Sequence, residues 1–395
     1  MKKILAFLTS LLILCLIVAL LHEFLPKSSL VNNREFGGWC SMYKDMSARA
    51  IGQNMQEDSM LVMGSSEFDH GQKEFYHPRN FFRNTNFSPM IVGSAYNQSL
   101  NHAITMGAIA PYAANNKAVL LLSMPWFYPK GVPPQKFAWR FSEGTFNTFL
   151  QNEDIPFKLR KNVAKRVLKL LKKGDPQMEY NARVAYKVLM QKKSSKFEKV
   201  YFNVRSTFVA DRETVSVMTD MFRAGIKPQD RYKIYKKKIK KAEWRRVINK
   251  ASRESYDYNN KYNMDNKFWK YIYSRKEPLI ICFLIKNAHR RKNFKKSPEF
   301  KDFIYFLKIC KATKIRPLIV MLPVNGKWYD VAGLKKSRRD KYQRKIRMIC
   351  KKYKVKVIDF KKYDYKPNII KDVVHIWKEG WLRVNEKIYR YYMQG

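Results

Sequence analysis

Acidic residues are scarce in this chain: 32 Asp and Glu stand against 79 Lys and Arg, a formal net charge of +47 over 395 residues. A cation of this strength repels itself unless something screens it. Its partners by charge are polyanions: nucleic acid, an anionic lipid surface or a phosphate-rich wall polymer. A Lys-rich habit with solvated faces explains the same balance without any partner. Cysteine is sparse too. Cys15, Cys40, Cys282, Cys310 and Cys350 form no CxxC pair and no Cys/His cluster of zinc-ligand spacing, which excludes the common structural zinc motifs and leaves a disulfide unreadable from spacing. Low cysteine use suits a cytosolic protein or a secreted one that does without bridges. The chain has no internal repeat, no long low-complexity linker and no nucleotide or metal motif. It does have apolar residues, 46% of the total, enough for one large or two medium domains with a sizeable core.

The N-terminus sets the compartment. Lys2 and Lys3 precede an apolar run over residues 4–21, broken only by Thr9 and Ser10. That length is near the minimum for a spanning helix. The run lacks what a cleaved signal wants, because Ala19-Leu20-Leu21-His22-Glu23 offers no A-x-A-like site. Cys15 has no lipoprotein-type surroundings. An uncleaved single-pass anchor over 1–25 is expected, with Lys2 and Lys3 cytoplasmic and the remainder extracellular, since long downstream domains translocate largely regardless of their charge. No second span is expected; the apolar stretch 279–285 is too short.

Five short apolar, β-branched-rich runs read as buried strands: 60–63, 89–92, 118–122, 317–322 and 355–360. Helical spacing appears over 98–110, 335–350 and 379–393. Strands alternating with helices predict an α/β fold with a parallel sheet. Residues 137–276 are Lys-, Tyr- and Arg-rich with helical periodicity, and read as a helical insertion. The expected division is therefore an anchor (1–25), a first α/β part (26–136), the basic insertion (137–276) and a second α/β part (277–395). The densest cationic run, Lys233 to Arg246, reads as a solvated helix face or as a surface for lipid heads or polymer phosphate.

Chemistry concentrates at two places. The first apolar run leads into Gly64-Ser65-Ser66-Glu67-Phe68, putting hydroxyls at the carboxyl edge of a sheet, where open α/β folds bind ligands. Backbone N–H groups in such a strand-to-helix turn can hold an oxyanion. Alone, Gly-Ser-Ser is more often a turn or a helix cap. The second place is Asp372-Val373-Val374-His375, after the last run. On a helical turn the two ends share a face. Asp372 would then orient one imidazole nitrogen while the other takes the proton of a serine, which is a poor nucleophile without a base. A structural histidine and a capping aspartate are the plain alternative.

Taken together, these motifs resemble the SGNH/GDSL hydrolase layout, and within it the DltD family of D-alanyl transfer proteins of lipoteichoic acid. The resemblance rests on Gly64 to Phe68, on Gly93 and Gln98-Ser99-Leu100, and on Pro125-Trp126-Phe127. It rests also on Pro323-Val324-Asn325-Gly326-Lys327-Trp328-Tyr329 and on Asp372 to His375. It implies an SGNH-hydrolase-like three-layer parallel sheet. It implies Ser66 as nucleophile, with His375 and Asp372 completing the triad, and leaves Ser65 as the other serine. Gly93 fits the oxyanion glycine. The expected asparagine is missing, because the third run ends in Ser123-Met124-Pro125-Trp126. Backbone N–H groups or Asn325 are the substitutes.

The resemblance further implies transfer of D-alanine to (lipo)teichoic acid hydroxyls without cofactor or metal, at the cell membrane of a Gram-positive cell. The implied partners are the polyanionic polymer, a membrane-bound O-acyltransferase and the D-alanyl carrier protein pathway, with no nucleic acid. Two other classes compete: a wall-directed esterase or O-acetyltransferase using the same triad, and a non-enzymatic membrane-anchored polyanion-binding protein.

Overall fold

The computed structural model describes residues 2–26, 28–191, 193–254, 257–273, 289, 294 and 296–394. Cys282 and the stretch 279–285 lie outside them. Five strands, β1 (Ser59–Met63), β2 (Ser88–Val92), β3 (Lys117–Leu122), β4 (Arg316–Met321) and β5 (Lys356–Asp359), coincide with the five apolar runs. They form one sheet in the order β2-β1-β3-β4-β5, with every neighbouring pair parallel. Strands covered on both faces read as unbroken apolar runs rather than as alternation, and β1, β2 and β3 are buried at every position.

The pleat of β1 divides the core. Leu61 and Met63 face one cluster, Met60 and Val62 the other. Helices Ser99–Ile109 and Glu299–Ala312 cover the first face, joined by Val163, Val167 and Leu171 of helix Phe157–Gly174. On the second lie helix Lys241–Arg253, through Trp244 and Ile248, and helix Lys378–Met393, through Trp381, Leu382, Val384 and Ile388. The result is a three-layer α/β fold consistent with the SGNH-like expectation. Between β3 and β4 the described residues are helical or irregular, and none is a strand. These helices serve both core faces.

The basic run departs from its sequence reading. Residues 233–240 form no helix; they are an irregular strap leading into helix Lys241–Arg253. The strap is pinned by local bonds that compete with helix formation. The Lys237 carbonyl accepts from Asn86 N–H (2.9 Å), and Ile239, which is buried, donates its N–H to the Tyr389 hydroxyl (3.0 Å). Lys236, Lys237, Lys238 and Lys240 remain in solvent.

Lys2–Phe24 is a single 23-residue helix, unburied and predominantly apolar between Lys3 and His22. At 1.5 Å per residue it spans roughly 35 Å, enough for a hydrocarbon core of about 30 Å. It is a candidate membrane anchor, and no second helix of that length and apolarity occurs among the described residues.

Candidate active site

Topology places the site before any side chain does. In the order 2-1-3-4-5 the chain leaves β1 to one side and returns on the other, so a crevice opens at the carboxyl ends of β1 and β3. β1 ends at Met63, level with Val92 of β2 and Leu120 of β3. Gly64 continues the ladder by one bond, donating its N–H to the Val92 carbonyl (3.0 Å). The buried His102 then fixes the turn by donating from Nε2 to the Gly64 carbonyl (2.8 Å). Burial pushes that ring down to about 4, so it stays neutral and keeps this donor role.

The two serines part company here. Ser65 is buried; its N–H donates to Glu67 Oε1 (2.7 Å) and its hydroxyl to the Ser94 carbonyl (3.2 Å). Ser66 opens the 3₁₀ turn Ser66–Asp69 and is half-buried. Its Oγ lies 3.0 Å from His375 Nε2. On the other side of the ring, His375 Nδ1 lies 2.6 Å from Asp372 Oδ2. Side-chain exposure is 20% at His375 and 7% at Asp372, so the series runs inward from the crevice. With Nδ1–H donating to the carboxylate, Nε2 is left to accept the Ser66 proton.

The Asp372–His375 pair does not sit on a helical turn, as the spacing had suggested. Residues 371–374 are a bend, and Asp372 Oδ1 accepts from the backbone N–H groups of Val374 and His375, both at 2.8 Å. This Asx-type turn brings the residues together by side-chain capping instead of helical register. Burial raises Asp372 and lowers His375. Their mutual bond and attraction outweigh it in both, leaving Asp372 below and His375 above its ordinary value.

Asn325 faces this bend. Its Nδ2 donates to the carbonyls of Asp372 (3.0 Å) and Tyr262 (2.9 Å), and its Oδ1 caps the Trp328 N–H (3.0 Å). Its own N–H donates to the Val373 carbonyl (3.0 Å). Both amide hydrogens are thus engaged, one of them on the Asp372 turn, so Asn325 is a clamp on the aspartate and is not turned out as an oxyanion donor. Gly93 is close to the nucleophile turn for a steric reason: a Cβ there would stand 2.4 Å from the Gly64 carbonyl oxygen. Its N–H is directed to the buried Asp45 carboxylate, which also accepts from Ser94 Oγ (2.8 Å). The Ser66 N–H, by contrast, makes no hydrogen bond among the described residues. Gly93→Ala is expected to force β1 and β2 apart at this edge, lowering stability by about 1–3 kcal/mol. Thermal unfolding, with the rate of covalent labelling at Ser66 as a second readout, checks it.

Two further residues stand at the site that sequence reasoning gave no role. His70 stacks on His375, ring centroids 3.7 Å apart. Desolvation and then the charge of His375 push it down to about 4, so it covers the imidazole without competing for charge. Its only signal in the sequence is a histidine four residues after Ser66. Glu67 is buried with its carboxylate on the Ser65 N–H; burial pushes it up to about 7. Among the described residues no group of three or more His, Cys, Asp or Glu could hold a metal ion.

Comparison with known proteins covers most of the chain. A family profile described as "DltD protein" matches residues 41–393. The chain is similar to Protein DltD of Bacillus subtilis (strain 168), 26% identical over 345 residues covering 85% of this chain and 82% of that protein. It is similar also to Protein DltD of Staphylococcus aureus (strain NCTC 8325 / PS 47), 24% identical over 349 residues covering 85% and 81%. Protein DltD of Lacticaseibacillus rhamnosus is 24% identical over 361 residues, 85% of this chain and 77% of its own.

Proposed function

The chain belongs to the DltD protein family, and from that premise we propose that it is an extracytoplasmic serine acyltransferase that moves D-alanine onto teichoic acid. The observation that carries the reading is the run of short contacts from Ser66 Oγ through His375 to Asp372, 3.0 Å and 2.6 Å, at the carboxyl edge of the sheet.

Ser66 Oγ attacks the carbonyl carbon of an activated D-alanyl ester or thioester as its proton passes to His375 Nε2. Asp372 holds the resulting imidazolium by its Nδ1–H. The oxyanion forms beside the Ser66 N–H at the start of the 3₁₀ turn, an amide that makes no hydrogen bond among the described residues. His375 then gives its proton to the departing group, leaving an ester on Ser66. A glycerol hydroxyl of the polymer surrenders its proton to His375 and attacks that ester. Ser66 recovers the proton and D-alanine leaves on the polymer. The Ser66 proton leaves on the departing group and is replaced by that of the glycerol hydroxyl, so the full cycle restores Ser66 and His375, and neither half requires a cofactor. The polymer is a polyanion, which suits a chain of net charge +47.

Labelling the full chain with a fluorophosphonate and mapping the adduct tests the nucleophile. A single adduct on Ser66, absent from His375→Ala, is expected. Labelling at Ser65, or equal labelling in His375→Ala, would sink the assignment. Following the acyl group from a labelled donor with and without poly(glycerol phosphate) tests the transfer. Delivery to polymer is expected, and release as free acid regardless of acceptor would make the protein an esterase.

A further inference from the structure

Helix Lys196–Arg223 turns Val209, Thr214, Val217 and Met221 into the core. Its outer face is apolar as well. Phe197, Val200, Val204, Phe208, Val215, Met218 and Phe222 are between 39% and 85% exposed. At 100° per residue these seven fall within an arc of about 80° on the helix wheel, running the length of a 28-residue helix. Isolated exposed hydrophobics need no explanation; a continuous stripe does.

Two observations identify what covers it. First, Asp211 lies in the register of the stripe, between Phe208 and Val215, and accepts from His22 Nδ1 at 2.8 Å. His22 belongs to the last turn of the candidate anchor. The stripe is therefore continuous with the end of the apolar helix. Second, the exposed charged side chains of the helix are all positive. The four carboxylates of the helix are each engaged: Glu198 with Lys187, Asp211 with His22, Glu213 with Ser142 and Asp220 with Ser41. Lys196, Lys199, Arg212 and Arg223 are exposed.

We infer that helix Lys196–Arg223 lies in the surface of an anionic bilayer, its stripe of Phe and Val side chains sunk to the headgroup–acyl boundary and its basic residues among the lipid phosphates. An apolar face flanked by cations is the composition such interfacial helices need. The inference rests on the anchor reading, since the bilayer is located by the N-terminal helix. The anchor alone would leave the domain swinging on a single tether. A second, in-plane contact joined to its middle fixes the distance and tilt of the domain above the lipid.

Tryptophan quenching on the full chain in nanodiscs tests this, using phosphatidylglycerol with bromine on the upper acyl carbons. Val204→Trp and Phe222→Trp replace exposed side chains and spare the core. Met348→Trp, at a residue 71% exposed on helix Lys336–Lys352, is the solvent control. Ile13→Trp, within the N-terminal helix, reports the anchor. The emission added at 204 and 222 is expected to fall by about half or more in brominated nanodiscs, with that at 348 unchanged. Quenching at 13 but not at 204 or 222 overturns the inference while sparing the anchor; no quenching at 13 overturns the anchor. Blue-shifted, unquenched emission at 204 would mean that a second copy of the chain covers the stripe, which also overturns it.

Discussion

Ser66→Ala is expected to abolish labelling by a fluorophosphonate and to cut acyl transfer by on the order of 10⁴-fold or more. The substitution removes one oxygen, the atom that lies 3.0 Å from His375 Nε2. Nothing in its surroundings stands ready to replace it. The Ser65 hydroxyl is buried and committed to the Ser94 carbonyl, so reaching His375 would mean rebuilding the turn that His102 and the Val92 carbonyl hold through Gly64. His375→Ala should cost about as much, and the double variant little more, because a nucleophile and its base act as one unit. Stability should barely move, Ser66 being only half-buried. A Ser66→Ala protein of normal melting temperature that still transfers D-alanine would place the nucleophile elsewhere.

Asp372→Asn should cut transfer by roughly 10³- to 10⁴-fold and also move the pH profile. In the native turn the carboxylate accepts three times, from His375 Nδ1 and from two backbone amides. An asparagine whose oxygen keeps the backbone amides presents its NH₂ to Nδ1. That nitrogen must then be the acceptor, the ring proton moves to Nε2, and Ser66 faces a donor instead of a base. The pH effect has a definite sign. Burial alone would hold His375 low; the Asp372 carboxylate is what carries it above its ordinary value. The native acid limb should therefore lie above the ordinary histidine value of about 6.5, with activity rising as the ring loses its proton. Without the carboxylate, the limb of the residual activity should move to lower pH. Rates of Ser66 labelling between about pH 5 and pH 9, a range that spans that ordinary histidine value, would show it. An unmoved limb would mean that another group governs the titration.

Much of this arrangement was legible in the sequence because burial on both faces leaves an unambiguous mark. The five apolar runs had no competing reading as surface helix, and each became a strand within a residue or two of its expected limits. Ser66, His375 and Asp372 stood out as short motifs, and the fold brings them within hydrogen-bond distance, although the Asp372–His375 turn is not the helical one their spacing suggested. What was not legible depended on partners distant in the chain. The strap over 233–240 has helical spacing, but Asn86 and Tyr389 take its backbone groups. Asn325 looked like a polar group at a strand edge. Only the fold shows that both its amide hydrogens go to carbonyls, one of them that of Asp372. His70 lies within four residues of Ser66, yet its ring is placed by stacking on a residue three hundred positions away. Gly93 fits the oxyanion glycine by its place in the sequence; only the fold shows that the approach of one strand end to another leaves no room there for a Cβ.

Ser66 and His375 are separated by 309 residues, and that distance has a consequence in time. At about 5–20 residues per second, Ser66 is synthesised roughly 15–60 seconds before its base exists. Through that interval, and through any passage across the membrane that accompanies it, Ser66 is an ordinary alcohol beside an incomplete sheet. β4 and β5 must dock, and the Asp372 turn must close on Asn325, before any side chain can take its proton. On the proposed mechanism, the delay acts as a safeguard during biogenesis: reactivity at Ser66 would arrive only with the completed fold.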